Sequence, residues 1–185
     1  AVVNGLPRYR GNDARTATVP ALEDAGTAVL GVVPEDRTLL GITVGQIAET
    51  LGGRFVSGGE LADGLVEHLL VGGLGLDSGA LYFGLHDRKA VVVRGDRPDI
   101  QMAALQTPTT CMVLTRGVEP IEYVLNEAEL EEVPVIVVET DTLGTMDALV
   151  STTERAAFDH PSKLSRSKEL LAEHVDIDRV LSPVG

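Results

Sequence analysis

The sequence predicts an α/β fold built on a mainly parallel sheet with helices on both faces, and two observations predict it. Residues 90–93 and 135–138 are apolar at every position, which suits strands buried on both faces rather than strands with one wet side. Between such runs lie segments with apolar residues at helical spacing, closed by glycine or opened by proline, so strands and helices alternate as they do around parallel sheets. With 185 residues, 44% of them hydrophobic, and a mean hydropathy of +0.14, the chain can bury a sizeable core.

Taken in order, residues 1–4 read as a short buried strand, 19–26 as a helix closed by Gly26, and 27–34 as a strand stopped by Pro34. Over 43–53, Val44, Ile47 and Leu51 share one helical face, with Gly52 and Gly53 as the stop. "RFVSG" (54–58) and "VEHLLVGG" (66–73) read as strands, although the second could begin in a helix. A helix over 77–86 follows, then strand 89–95, helix 97–106, strand 111–117, helix 120–132, strand 134–140, helix 142–157 and a charged amphipathic helix over 162–175. The right-handed crossover rule then restricts the topology.

Charge bounds the partners. Against 28 acids stand 15 bases, a formal net charge of −13, and only three bases are lysines: Lys89, Lys163 and Lys168. Such a surface repels nucleic-acid phosphates and anionic lipid, so neither a nucleic-acid nor a membrane partner is expected. Abundant acid with scarce lysine is also what a halophilic cytoplasm favours. No apolar run approaches the roughly 18 residues that cross a bilayer, and "AVVNGLPRYR" has neither a basic n-region nor a cleavage site, so a soluble, cytoplasmic protein is expected. The single cysteine, Cys111, lies in the apolar run "CMVLT" and reads as a core residue.

In open parallel sheets, ligands bind beyond the carboxyl ends of the strands. Three polar clusters fall there. In "GDRPDIQ" (95–101), Gly95 allows a tight turn, Asp96 could cap the next helix, Pro98 suits its first turn, and Arg97, Asp99 and Gln101 are left to face a ligand or one another. In "TRGVEP" (115–120), Thr115 and Gly117, on either side of Arg116, leave backbone amides near a helix start, a geometry suited to an anion. In "ETDTLGT" (139–145), Asp141 or Thr142 can cap the following helix. Each cluster is also explained by a turn and a cap alone; three on one sheet edge suggest a shared site. No serine, histidine and acid fall together, so no catalytic residue is assigned. Nor is a metal site: His68 reads as a core or edge histidine, His86 and His174 as helix-end residues, and His160 lies in a loop beside Pro161.

Residues 95–105, 111–120 and 131–145 together resemble the DRTGG domain, with signatures matched by Asp96-Arg97 and Thr115-Arg116-Gly117. Arg116 stands where the family pattern has glycine, which either bars a close backbone approach to a ligand or supplies a cation for one. The resemblance implies a three-layer parallel α/β sandwich similar to the N-terminal domain of HPr kinase, without catalytic residues of its own. Residues 1–53 resemble the C-terminal end of a dethiobiotin-synthetase-like P-loop domain, in which the positions matched by Asn4 and Pro34 lie on the adenine side. The chain opens on a core strand without an initiator Met and carries no Gly-Lys-Ser/Thr loop, so a P-loop half is expected upstream.

The domain organisation implied is a P-loop-domain remnant over 1–41, a DRTGG-like domain over 42–157 and a C-terminal helix and tail over 158–185. Together these resemble the regulatory N-terminal region of long phosphate acetyltransferases. That implies a non-catalytic, ligand-sensing module linked to acetyl-CoA and acetyl-phosphate metabolism, a small-molecule effector, an adenine nucleotide in the full-length protein, self-association, and a phosphate acetyltransferase catalytic domain or subunit as partner. Two alternatives stay open: the C-terminal part of a P-loop ATPase or ATP-dependent ligase, and an oligomerisation domain.

Overall fold

In the computed structural model, which describes residues 1–73 and 79–181, every apolar run of the middle of the chain becomes a strand or the inner face of a helix. The chain runs β1 (Val2–Leu6), α1 (Gly11–Asp13), α2 (Val19–Asp24), β2 (Gly31–Pro34), α3 (Arg37–Leu40), β3 (Ile42–Thr43), α4 (Val44–Leu51), β4 (Arg54–Ser57), β5 (Leu65–Val66) and β6 (His68–Gly72). It continues through α5 (Gly79–Phe83), β7 (Lys89–Arg94), α6 (Pro98–Leu105), β8 (Thr109–Thr115), α7 (Glu122–Leu130), β9 (Val135–Val137), α8 (Thr142–Thr153), α9 (Pro161–His174) and α10 (Ile177–Leu181). Its contacts divide into two units, Ala1–Leu39 with Phe158–Gly185, and Leu40–Ala157.

The second unit holds a five-stranded sheet in the order β4-β9-β8-β7-β6. β6, β7, β8 and β9 are mutually parallel, and β4 closes the β9 edge antiparallel. The alternation of side chains along a strand builds two cores. Val91, Val93, Met112, Leu114, Val135 and Val137 point to one face, where Phe83, Ile100, Ala104, Leu105, Val124 and Ala128 of α5, α6 and α7 cover them. Ala90, Val92, Cys111, Val113 and Ile136 point to the other, under Val44 and Ile47 of α4, Leu149 of α8, and the small antiparallel β3–β5 ladder. Each fully buried Val, Leu or Ile contributes roughly 1.5–3 kcal/mol. The three-layer, mostly parallel α/β architecture is the one expected from the sequence.

Helix α4 starts where the pattern predicts, held by a reciprocal cap in which Thr43 Oγ1 accepts from the Gln46 amide at 3.1 Å and Gln46 Oε1 from the Thr43 amide at 2.9 Å. Gly52 ends it in the left-handed conformation at φ 56°. Several boundaries differ from expectation. The strand expected over 27–34 pairs only from Gly31, residues 27 and 28 being exposed, and that expected over 134–140 is strand only through Val137, with Val138 still buried and Glu139 and Thr140 exposed beyond it. The strand expected from 111 begins at Thr109. The segment 66–73 is strand from its start, broken at Glu67. The helix expected over 77–86 lies partly outside the described residues.

The first unit pairs β1 with β2 in parallel and rests a small core, Val33 with Leu170 and Val175, on α9. Gly31 is obligatory there, since a methyl group on it would lie 2.3 Å from the His174 carbonyl oxygen. Asp36 is tied to Arg166 at 2.9 Å. Among the described residues no helix is long and apolar enough to cross a membrane. Two of the three lysines, Lys89 and Lys163, are buried, so Lys168 is the one exposed lysine of a strongly acidic surface.

Candidate functional site

The carboxyl ends of β7, β8 and β9 form one polar rim, because parallel strands in consecutive register bring all three post-strand turns to the same edge. β4 joins them from the opposite direction: pairing Arg54 with Val137 puts its first residue at the same edge, where Arg54 pairs with Glu119 of the β8–α7 loop. A dispersed set of residues thus converges on a single edge.

The turn after β7 is self-paired. Arg94 Nε donates to Asp96 Oδ1 at 2.8 Å, and its second arm reaches Asp96 Oδ2. Arg97 grips Asp99 with bonds of 2.9 and 2.7 Å. Each guanidinium hydrogen bond lowers the pKa of its carboxyl group, Arg94 acting on Asp96 and Arg97 on Asp99, and each arginine is raised in turn. The expectation that Asp96 caps the following helix is therefore corrected. Arg97 occupies the cap position of α6 without a side-chain cap bond, since Asp96 is already held by Arg94; Pro98 opens the helix as expected.

Gln101, in the first turns of α6, is fully buried. Its Nε2 donates to the Arg94 carbonyl at 2.9 Å and the Gly95 carbonyl at 3.0 Å, pinning the turn from beneath, while its Oε1 has no protein partner. Gly95 is packed so closely under the next loop that a methyl on it would lie 2.1 Å from the Val118 carbonyl oxygen.

The turn after β8 corrects a second expectation. The amides of Arg116 and Gly117 are not free for an anion: they donate to the Thr140 carbonyl at 3.0 Å and the Val138 carbonyl at 2.8 Å, and α7 starts only at Glu122. What this turn presents is a side chain. Arg116 is exposed, adopts φ 71°, unusual for a residue with a β-carbon, and makes no salt bridge among the described residues, although its charge helps depress Asp96. Gly117 follows at φ 66°, against the Glu139 carboxylate. Thr115 is buried and meets Thr142 through their hydroxyls at 3.3 Å. Asp141 caps α8, accepting from the Gly144 amide at 2.9 Å, as the sequence suggests.

Asp96, Arg97, Asp99, Gln101, Thr115, Arg116, Gly117, Asp141 and Thr142 are thus gathered at one edge. Asn4 and Pro34 belong instead to the β1–β2 ladder of the first unit. The DRTGG domain model matches residues 46–152. The chain belongs to the DRTGG domain family. That match falls wholly within the second unit and includes every rim residue.

Among solved structures, the chain is similar to the CBS and DRTGG domains of the regulatory region of Clostridium perfringens pyrophosphatase, crystallised with the activator diadenosine tetraphosphate. The likeness has a TM-score of 0.53 at 13% identity and covers 81% of this chain and 72% of that one. It reports on fold. The DRTGG unit also has rim groups that sequence reasoning did not single out: Arg54, Arg94, Glu119, Glu139 and the Thr140–Thr145 hydroxyl pair at 2.8 Å. For Arg94 a signal existed, an arginine ending an apolar strand. For Arg54 none did, because only antiparallel pairing brings that end of β4 to the rim.

His68 lies on the edge strand β6, stacked on His86 with ring centroids 4.2 Å apart. His160 caps α9 by accepting from the Ser162 amide at 3.2 Å. A depression of about 390 Å³ at the opposite end of the sheet, lined by Thr107, Pro108, Thr109, Glu127 and Glu131, is open and acidic.

Proposed function

We propose that this chain is a regulatory, ligand-sensing module whose DRTGG unit binds a small anionic effector of the nucleotide class at the β7–β8–β9 rim. The observation that carries the reading is the rim's set of arginines: Arg94, Arg97 and Arg54 each hold a carboxylate at the surface, and Arg116 stands beside them without a salt bridge among the described residues. Exposed ion pairs of this kind are weak, so an incoming phosphate can replace a carboxylate at little cost. Nucleotides are the first class to test because the activator in the similar pyrophosphatase regulatory region is a dinucleoside polyphosphate. The resemblance to the region preceding phosphate acetyltransferase adds acetyl-CoA and acetyl phosphate, with that enzyme's catalytic part as the regulated partner in the cytoplasm.

The test is a thermal-shift and calorimetric screen against ATP, ADP, AMP, diadenosine tetraphosphate, acetyl-CoA and acetyl phosphate. A ligand at about 100 times its dissociation constant stabilises the fold by about 2.7 kcal/mol. Arg116→Gly and Arg97→Ala are expected to fold as the parent does and to lose that stabilisation. Silence of the parent across the panel refutes the reading.

A second reading, self-association, is favoured by Leu164 and Leu171, which are exposed seven residues apart on α9. A concentration-independent monomer in sedimentation would remove it.

A further inference from the structure

The orphaned acceptor of Gln101 points to what the effector carries besides its negative charge; this inference rests on the function proposed above. Gln101 is fully buried, and the orientation of its amide is set by chemistry: two carbonyl oxygens, of Arg94 and Gly95, face one end, so that end is the NH₂ group and the other is the oxygen. That oxygen is left without a protein donor, and among the described residues it is the one buried side-chain polar atom in that position. An unsatisfied buried acceptor is costly enough that native proteins rarely keep one without a use or a guest.

Its place connects it to the rim. Gly95 accepts from Gln101 Nε2 through its carbonyl and donates to the Thr115 carbonyl through its amide at 3.3 Å, and Arg116 is the next residue after Thr115. Gln101 and the Thr115–Arg116 turn are thus tied to the same glycine, Gln101 through its Nε2 and the turn through the Thr115 carbonyl. The turn that Gln101 pins also leads into Arg97, whose carbonyl accepts the helical bond from the Gln101 backbone N–H at 3.1 Å and whose side chain is held by Asp99. A phosphate that takes Arg97 from Asp99 acts on the residue that follows the turn to which the Gln101 side chain is bonded.

We infer that Gln101 is the specificity-determining residue of the rim: its Oε1 accepts a hydrogen bond from a hydroxyl or amino group next to the anionic group held by Arg116 and Arg97. The ligand class is thus a phosphorylated compound with a neighbouring donor, and a bare anion is discriminated against.

The experiment compares binding of ATP to the full chain with binding of its 2′,3′-dideoxy analogue, which lacks the ribose hydroxyls, and of inosine triphosphate, which lacks the exocyclic amino group. One of the two analogues is expected to bind at least about tenfold more weakly than ATP, because its absence leaves the buried acceptor unpaired. In Gln101→Met the difference should vanish. Should that variant fail to fold, the side-chain ¹³Cδ resonance of Gln101 in the parent reports the same event: ATP is expected to shift it, and the weaker analogue to leave it in place. Equal binding of all three nucleotides, a preference that survives in Gln101→Met, or a resonance unmoved by ATP overturns this inference and leaves the anion-binding rim standing. Failure of the parent to bind any nucleotide or other member of the earlier panel overturns both.

Discussion

Gly95→Ala tests the packing on which the rim depends. A β-carbon at residue 95 falls 2.1 Å from the Val118 carbonyl oxygen and 2.6 Å from Val118 Cβ, so the first contact lies about 1.3 Å inside ordinary van der Waals distance. The obstacle is backbone, which cannot rotate away, and relieving it means lifting the β8–α7 loop off the β7–α6 turn. Overpacking of this kind costs about 1–3 kcal/mol, and a clash with main chain belongs at the upper end. Against it, alanine narrows the unfolded ensemble and returns about 0.4–1 kcal/mol. The expected net loss is about 2 kcal/mol, roughly 5–10 °C in the melting of a domain of this size. Urea unfolding followed by circular dichroism gives the free energy, and hydrogen exchange at the β7 and β8 amides assigns it to the DRTGG unit. Gly11→Ala, where nothing lies within 4 Å of the added methyl, is the control and should not destabilise. A Gly95→Ala protein as stable as its parent, with unchanged exchange at β7 and β8, would refute the claim that this turn and loop are locked together.

Three further outcomes are expected. In the first unit, burial pushes Asp36 up, but the hydrogen bond and charge of Arg166, together with Thr38, outweigh it and leave the carboxyl below its usual value. The pair then contributes stability above the unfolded-state value near pH 4 that is lost as pH falls through the folded-state value. Arg166→Ala should therefore cost about 1–2 kcal/mol at pH 7 and progressively less as the pH falls below about 4, read from unfolding curves across that range. Burial pushes the Cys111 thiol up to about 12, so alkylation by iodoacetamide should proceed only as fast as the native state opens, and a fast native reaction would contradict the two-faced core. With a net charge of −13 and one exposed lysine, the chain should gain stability steadily up to molar KCl; a midpoint indifferent to salt removes the halophilic expectation.

What was legible in the sequence was what local physics controls. β7 and β8 were recognisable because burial on both faces leaves their middles, residues 90–93 and 111–114, apolar at every position, and α4 because its apolar face and the Gly52 stop lie within ten residues. Asp141 as a cap was legible for the same reason, since its acceptor and the Gly144 amide are three residues apart. Asp96 was misread because two neighbours compete for it: a capping bond to the helix is a local option, and the longer reach of Arg94 wins with two charge-assisted bonds.

The sequence by itself determined the alternation of strands and helices, the apolar interior, the acidic surface and the polar residues at the strand ends, because each follows from spacing along the chain. Only the tertiary structure decided that β4 runs antiparallel beside β9, bringing Arg54 to the rim, and that the Arg116 and Gly117 amides are consumed by the Val138–Thr140 segment. It also decided that Gln101 is buried with one end of its amide paired and the other orphaned. Those outcomes depend on which distant segments meet, and pairing between distant segments is set by how the whole core closes rather than by any local pattern.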